Sequence, residues 1–376
     1  MEKSKVYFTD MRTRNEEGLP HKLQRLMASA GIASIDMDGR FVAIKMHFGE
    51  LGNLGFLRPN YAAAVAEVVS KQGGKPFLTD CNTLYPGSRK NALEHLRCAY
   101  ANGFSPLTTG CAIIIGDGLK GTDEALVPVV NGEYVKQAKI GRAVMDADVF
   151  ISLTHFKGHG EAGFGGALKN IGMGCGSRAG KMEQHNQGVC RVDASRCRGC
   201  HLCQKDCQQG AISYGTDRKA SIDPARCVGC GHCIGACNFD AIAPTAGNAP
   251  DVLSCKIAEY AQAVCHGRPC FHIALAIDIA PDCDCYPCND ANMLPDIGMF
   301  ASFDPVALDQ ACADACMKAE PLDGSALSER LGTHRDDKVG RDWFRIMNPD
   351  TCWQVGLDHA VRIGLGSRQY DLVVVR

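Results

Sequence analysis

Cys197-Arg198-Gly199-Cys200-His201-Leu202-Cys203-Gln204-Lys205-Asp206-Cys207 and Cys227-Val228-Gly229-Cys230-Gly231-His232-Cys233-Ile234-Gly235-Ala236-Cys237 are two copies of one pattern, C-x-x-C-x-x-C-x-x-x-C, set 30 residues apart. Thiolates at this spacing wrap three ligands around one iron-sulfur cube, while the fourth cysteine reaches the other cube. On that rule Cys197, Cys200, Cys203 and Cys237 hold one 4Fe-4S cluster, and Cys227, Cys230, Cys233 and Cys207 hold the second. The flanks repeat as well: Val192-Asp193 and Ile222-Asp223 precede the runs, and Ala211-Ile212 and Ala241-Ile242 follow them. Two copies of one unit related by a pseudo-twofold are expected, a bacterial-type two-cluster ferredoxin-like α+β module over residues 189–247. Paired C-x-x-C motifs also bind zinc, but two identical four-cysteine runs favour iron and sulfur. Gln208 and Asn238 stand where a proline usually follows the fourth cysteine, which predicts an altered turn and intact ligation.

Around this insert the composition is that of a globular chain. Of 376 residues 45% are hydrophobic and 22% charged, enough for a large core and two or three domains. A net charge of −2 supplies no global field for nucleic acid or an anionic membrane. The first residues reach charge again by Asp10, too soon for a secretory leader, and no run approaches the ~20 apolar residues of a membrane span. A cytoplasmic protein is expected. The 14 cysteines outside the two runs should be mostly reduced, and such a thiol load fits an anaerobic host.

From residue 6 to about 175, short β-rich runs alternate with helical ones, the pattern of a parallel sheet covered by helices. Strands are predicted at Val6–Thr9, Phe41–Met46, Pro76–Thr79, Ala112–Ile115 and Val149–Leu153, and helices at His21–Ala30, Asn60–Lys71, Ser88–Ala101 and Val135–Ala147. The alternation resumes beyond residue 250. Strands are predicted at Phe271–Ile279, Ile297–Ser302 and Leu372–Val375, and helices at Val252–Val264, from Asp304 to about Lys318, and at Trp353–Ile363. The fold class expected is therefore α/β, a mostly parallel sheet with helices on both faces. It is split into a first part (1–188) and a second part (248–376) by the ferredoxin module.

Ligands in such sheets sit beyond the carboxyl ends of the strands. The segments following the predicted strands carry His47, Asp80, Asp117, and His155 with Lys157 and His159. His155, Lys157, His159, His47 and Asp80 are the candidate catalytic residues: histidine titrates near neutrality and can donate a proton, and lysine stabilises developing negative charge. His155 and His159 at i, i+4 would share a helix face and could ligate a metal, but Gly158 and Gly160 argue for a loop. Gly163-Phe164-Gly165-Gly166 before a helix at Ala167 would expose amides to an anion, or serve as a flexible linker.

Cys283 and Cys285 at i, i+2 would face the same way from an extended segment. With Cys175 from the crevice side, and Cys288 as a further thiol, they are the candidate ligands of an additional iron or iron-sulfur site, or else reduced loop thiols. Cys312 and Cys316 at i, i+4 read as core.

Several stretches carry a resemblance: Ile44-Lys45-Met46-His47-Phe48-Gly49-Glu50, Thr79-Asp80-Cys81-Asn82-Thr83-Leu84, His155-Phe156-Lys157-Gly158-His159, Gly165 to Cys175, Cys283-Asp284-Cys285, and Asp296-Ile297-Gly298 with Asp304-Pro305-Val306-Ala307-Leu308-Asp309. Through them the chain resembles the uncharacterised iron-sulfur centre proteins of the domain of unknown function 362 family. The resemblance implies an α/β domain with a two-cluster ferredoxin insert and electron transfer as the default role. Cys81 departs from it, standing where a small non-thiol residue is expected.

Two functions are compatible with these residues. One is an iron-sulfur reductase passing low-potential electrons from two 4Fe-4S clusters to a small-molecule substrate or metal site in the crevice. The other is a ferredoxin-type carrier whose α/β domain only docks a partner redox enzyme. The ring of His, Lys and Asp favours the first, while the absence of a dinucleotide fingerprint weighs against it; a redox partner protein is expected.

Overall fold

A computed structural model describes residues 3–85, 87–185, 189–245, 249–333 and 340–376. Its centre is an eight-stranded sheet in the order Tyr370–Val374, Ser4–Asp10, Gly298–Ser302, Cys270–Ala276, Val149–His155, Phe41–Lys45, Lys75–Asp80, Ala112–Ile115. Pairing is parallel throughout except on the two sides of Gly298–Ser302, where it is antiparallel. The five strands from Cys270 to Ile115 thus run together, and their carboxyl ends open on one edge.

Period-two alternation sends neighbouring residues of each central strand into different cores. Val42, Ile44, Ile151, Ile273 and Met299 join the helices Leu19–Ser29 and Pro59–Lys71 on one face. Ala43, Phe150, Ala274 and Phe300 join Ala167–Cys175, Pro250–Cys265, Pro305–Lys318 and Trp353–Arg362 on the other. Burying each of the Val, Ile, Phe and Met side chains among them contributes roughly 1.5–3 kcal/mol. Helices therefore cover both faces, as the continuous apolar runs require. Ala167–Cys175 lies tightly on Pro250–Cys265: a Cβ on Gly172 would stand 2.0 Å from the Ile257 carbonyl oxygen, so only glycine fits there.

The expected helix Val135–Ala147 is instead a strand, Gln137–Gly141, paired antiparallel with Glu124–Pro128 and followed by a single turn, Arg142–Met145. Ala138 and Ile140 are buried while Gln137 is exposed, so burial at period two outweighs the helix preference of Lys136-Gln137-Ala138-Lys139. The polar stretch after Gly176 contains a helix, Arg178–His185.

Residues 190–244 form two short ladders that exchange halves of the repeat. Cys190–Val192 of the first copy pairs with Ile242–Pro244 of the second, and Ile212–Tyr214 of the first pairs with Ala220–Ile222 of the second. Val192↔Ile242 in one ladder corresponds to Ile222↔Ile212 in the other, which is the pseudo-twofold written in backbone pairing. Short helices follow each cysteine loop at Leu202–Lys205 and His232–Ala236. The predicted boundaries at residues 188 and 247–248 lie outside the described residues.

Candidate functional site

Lys45 and Asp80 end adjacent parallel strands and meet as a buried ion pair at 3.0 Å. Arg89 adds a further positive group to Asp80 at 3.9 Å, the buried His95 ring lies 3.7 Å from it, and Arg89 also bonds Glu50 at 3.0 Å. Burial alone would raise the Asp80 carboxyl; Lys45, His95, His47 and Arg89 outweigh it and hold the group well below the usual carboxylate range.

A second node forms around Asp284. Its carboxylate lies 2.9 Å from His155 Nδ1, 3.4 Å from Lys157 Nζ and 3.9 Å from His47 Nδ1. His155 Nε2 faces the Ile277 carbonyl at 2.7 Å. Both neighbours of this ring are acceptors, so it satisfies both only when it carries two protons. His47 differs: its Nδ1 accepts the Gly49 N–H at 3.0 Å, which leaves the proton on Nε2. That Nε2 is buried without a hydrogen-bond partner among the described residues, and His47 lines the crevice. Burial, with Arg89 nearby, pushes His47 well below its usual pKa, so it is a neutral donor aimed at whatever enters.

The crevice between the two nodes holds about 60 Å³ of free space. Lys45, Arg89, Lys157, Lys169 and Lys181 line it, against the carboxylates of Asp80 at its wall and Asp284 and Glu50 behind. Five cations thus face three carboxylates and the Cys283 sulfur beside Lys169.

Four of the sequence-predicted residues, His47, Asp80, His155 and Lys157, therefore meet in one crevice. Asp117 does not reach it: its carboxylate accepts the Asn82 backbone N–H at 2.9 Å and side-chain amide at 2.8 Å, and burial raises it to about 6. Lys157–His159 is a strand of a hairpin with Gly163–Gly165, so His159 shares a side with Lys157 at i, i+2, and the helical pairing of His155 with His159 is not formed. Gly158 between them donates to the Ala280 carbonyl at 2.9 Å, and a Cβ there would stand 2.0 Å from the Pro281 oxygen. The hairpin is thereby pinned to the loop carrying Cys283.

That loop is a turn, closed by Tyr286 N–H to Cys283 O at 3.1 Å, and no extended segment. Donor atoms of Cys283, Cys285 and His159 nonetheless lie within 4.8 Å of one another, a group that could hold a metal ion. Cys175 is not among them. It ends the Ala167–Cys175 helix fully buried, its carbonyl accepts the Cys81 thiol at 3.4 Å, and burial pushes its own thiol up to about 11. Cys288 is exposed and is not among them either. The helix start at Ala167 offers no free anion site either, because Ala167 and Leu168 N–H already donate to Asp309 at 2.6 and 2.9 Å. Lys45, Arg89, Lys181 and Asp284 were not singled out from the sequence; Lys45, a charge inside the apolar run Phe41–Met46, was the available signal.

In the 190–244 segment, Cys207, Cys227, Cys230 and Cys233 line one small cavity, joined by Cys190. Cys203 has Cys233, Cys237 and Cys200 as neighbours, and Cys207 lines the cavity of the 227–233 triad, so the fourth cysteine of each run approaches the triad of the other. Backbone amides point at three of the sulfurs: Ala220 N–H at Cys197 (3.4 Å), Ala211 N–H at Cys207 (3.3 Å) and Ala241 N–H at Cys237 (3.4 Å). The last two are equivalent by the repeat. Cys190, read from sequence only as packing, occupies the place where the other half has Ala220.

The segment is seated on the sheet domain through the helix Arg178–His185. Arg178 donates to the carbonyls of Thr83, Lys90 and Lys120, while Met182 joins the core of the cysteine segment and Lys181 lines the crevice. One helix thus touches both sites.

Among solved structures, a Thermotoga maritima protein aligns with a TM-score of 0.41 and 10% identity over 80% of this chain and 58% of its own. The lactate racemase apoprotein from Thermoanaerobacterium thermosaccharolyticum aligns with a TM-score of 0.33 and 11% identity over 73% of this chain and 51% of its own. Scores this low carry no argument about activity. "Thylakoid-associated protein sll1697" of Synechocystis sp. is 31% identical over 124 residues, 31% of this chain and 32% of that protein, so the chain spans about a third of that relative's length. A family model described as domain of unknown function (DUF362) matches residues 42–314, which takes in the Lys45–Asp80 node, both cysteine runs and the Cys283 turn. On this match over most of its length, the chain belongs to the DUF362 family.

Proposed function

We propose that this chain is an iron-sulfur electron-transfer protein in which residues 189–247 form a two-cluster module feeding the crevice. The observation that carries the reading is the exchange between halves: the ladders cross, and the fourth cysteine of each run approaches the other triad. The donor set fits two 4Fe-4S clusters. Cys197, Cys200, Cys203 and Cys237 would hold one, and Cys207, Cys227, Cys230 and Cys233 the other. None of the chain's 22 cysteines is paired in a disulfide, and amides directed at sulfur suit thiolate ligands. Bound clusters would supply single electrons at low potential. Reduced thiols place such a protein in a reducing compartment, the cytoplasm being the natural one.

The crevice supplies what a reduction needs besides electrons. His155, oriented by Asp284 and the Ile277 carbonyl, holds a proton beside the cavity. Lys157, within 3.4 Å of the same carboxylate, is placed to stabilise negative charge developing on a small anionic substrate. His47 Nε2–H is a third directed donor. A second reading, a carrier whose α/β domain only docks a partner enzyme, is favoured by Val228 and Phe239, apolar side chains 64% and 44% exposed beside the second cysteine run. For the cluster reading the test is composition. Anaerobically purified protein should contain about eight iron and eight acid-labile sulfide per chain; a colourless zinc protein would overturn it.

A further inference from the structure

The crevice's two thiols point to a chemistry of their own, which rests on the reductase reading above. Cys283, Cys285 and His159 are close enough to suggest a metal site, but two observations weigh against one. His159 Nδ1 accepts the backbone N–H groups of Glu161 and Ala162, both at 3.1 Å, so the ring's proton sits on Nε2 and no nitrogen lone pair faces the sulfurs. A metal-bound histidine has the opposite arrangement, its second nitrogen donating. Lys169 Nζ, moreover, stands 3.5 Å from Cys283 Sγ, where a cation already neutralises the sulfur and would repel a metal ion.

The same geometry suits sulfur-sulfur exchange. Cys283 and Cys285 are first and third residues of one tight turn, their sulfurs within 4.8 Å of each other. Lys169 Nζ, 3.5 Å from Cys283 Sγ, favours the thiolate of Cys283. Cys283 is only 1% exposed, its sulfur lining the cation-rich crevice. We propose that Cys283 and Cys285 are a redox-active dithiol that reduces a small anionic disulfide bound in the crevice.

Cys283 Sγ attacks one sulfur of the substrate, breaking its S–S bond and releasing one thiolate, which leaves as a thiol after taking a proton. Cys285, having given up its own proton, attacks Cys283 Sγ in the mixed disulfide and expels the second thiolate, leaving a Cys283–Cys285 disulfide. The substrate has gained two electrons and the protein has lost two. Two single electrons of the kind iron-sulfur clusters supply, with two protons, restore the dithiol.

The test uses anaerobically purified, iron-loaded protein and 3,3′-dithiodipropionate, a dianionic disulfide, followed by alkylation of free thiols and peptide mapping. The expected product is a peptide lacking two hydrogens and linking Cys283 to Cys285. Cys285→Ser should stop at a mixed disulfide on Cys283, and the dicationic cystamine should react at least about tenfold more slowly, as expected in a cation-lined site. Cys283→Ser/Cys285→Ser should keep the parent's iron content. If both thiols are alkylated after exposure to the probe, or the double variant loses metal, the dithiol is wrong while the cluster reading stands. If the pair oxidises as described in a protein that never contains iron, the dithiol stands and the electron supply is wrong.

Discussion

The cysteine segment and the crevice are both clusters of reactive side chains, yet they are built in opposite ways. All eight candidate cluster ligands lie between Cys197 and Cys237, at spacings repeated within one short unit. The crevice draws Lys45, Asp80, Arg89, His155, Lys157, Lys169 and Cys283 from separate strands, helices and turns. A ligand loop needs only its own chain to close, whereas a crevice exists only when parallel strands lie side by side and their ends coincide. The first is fixed by local geometry, the second by sheet order, and each can be disturbed without the other.

The largest expected effect separates them outright. His155→Ala and Lys157→Ala should each lower turnover of a crevice substrate by about 10²–10⁴-fold while iron content and cluster signals stay at the parent's level. Full electron delivery to a partner enzyme by both variants, with full complementation of a deletion strain, would mean that the α/β domain is only a docking surface.

Next is the crossing of ligands between the two runs. Cys207→Ser should disturb the cluster of the 227–233 triad, and Cys237→Ser that of the 197–203 triad, each taking iron from about eight towards about four per chain. Electron paramagnetic resonance of the reduced variants should lose one signal and keep the other. Loss of the signal belonging to the mutated cysteine's own run would break the pseudo-twofold reading.

Smaller still is a pH effect in the sheet. Burial lowers His272 from 6.5 to about 3, its Nδ1 bonded to Ser152 Oγ at 2.9 Å. The folded chain therefore excludes a proton that the unfolded chain binds below 6.5. Stability from this group is complete above that pH and declines by about 1.4 kcal/mol per unit as pH falls. His272→Gln lacks this slope, so the Tm advantage of the parent over the variant should shrink between about pH 7.5 and pH 5. A constant difference would show that His272 takes up its proton equally in the folded and the unfolded chain.

The smallest effect probes a break in the repeat. Cys190 lies in the cavity of Cys207, Cys227, Cys230 and Cys233, where its counterpart in the other half is Ala220. Donors to a ligand sulfur raise a cluster's potential. Cys190→Ala should lower one midpoint potential by tens of millivolts and leave the other unmoved, as measured by protein-film voltammetry. Equal shifts in both would place Cys190 outside the cavity's influence.

The sequence alone determined the parts whose physics is local. Phe41–Lys45, Val149–His155 and Cys270–Ala276 are legible because a strand buried on both faces must be a continuous apolar run, and the Cys197 and Cys227 runs because a wrapped ligand loop has a fixed spacing. The same local reasoning misplaced Val135–Ala147, whose helix-forming residues take their conformation from a partner strand at Glu124–Pro128. Only the tertiary structure decided that His159 rather than Cys175 stands by Cys283, that Asp309 already occupies the helix start at Ala167, and that Asp284 gathers His155, Lys157 and His47. Those pairings join residues more than a hundred positions apart, and no spacing along the chain encodes them. They follow from which strands are neighbours and from the cost of leaving a buried charge without a partner.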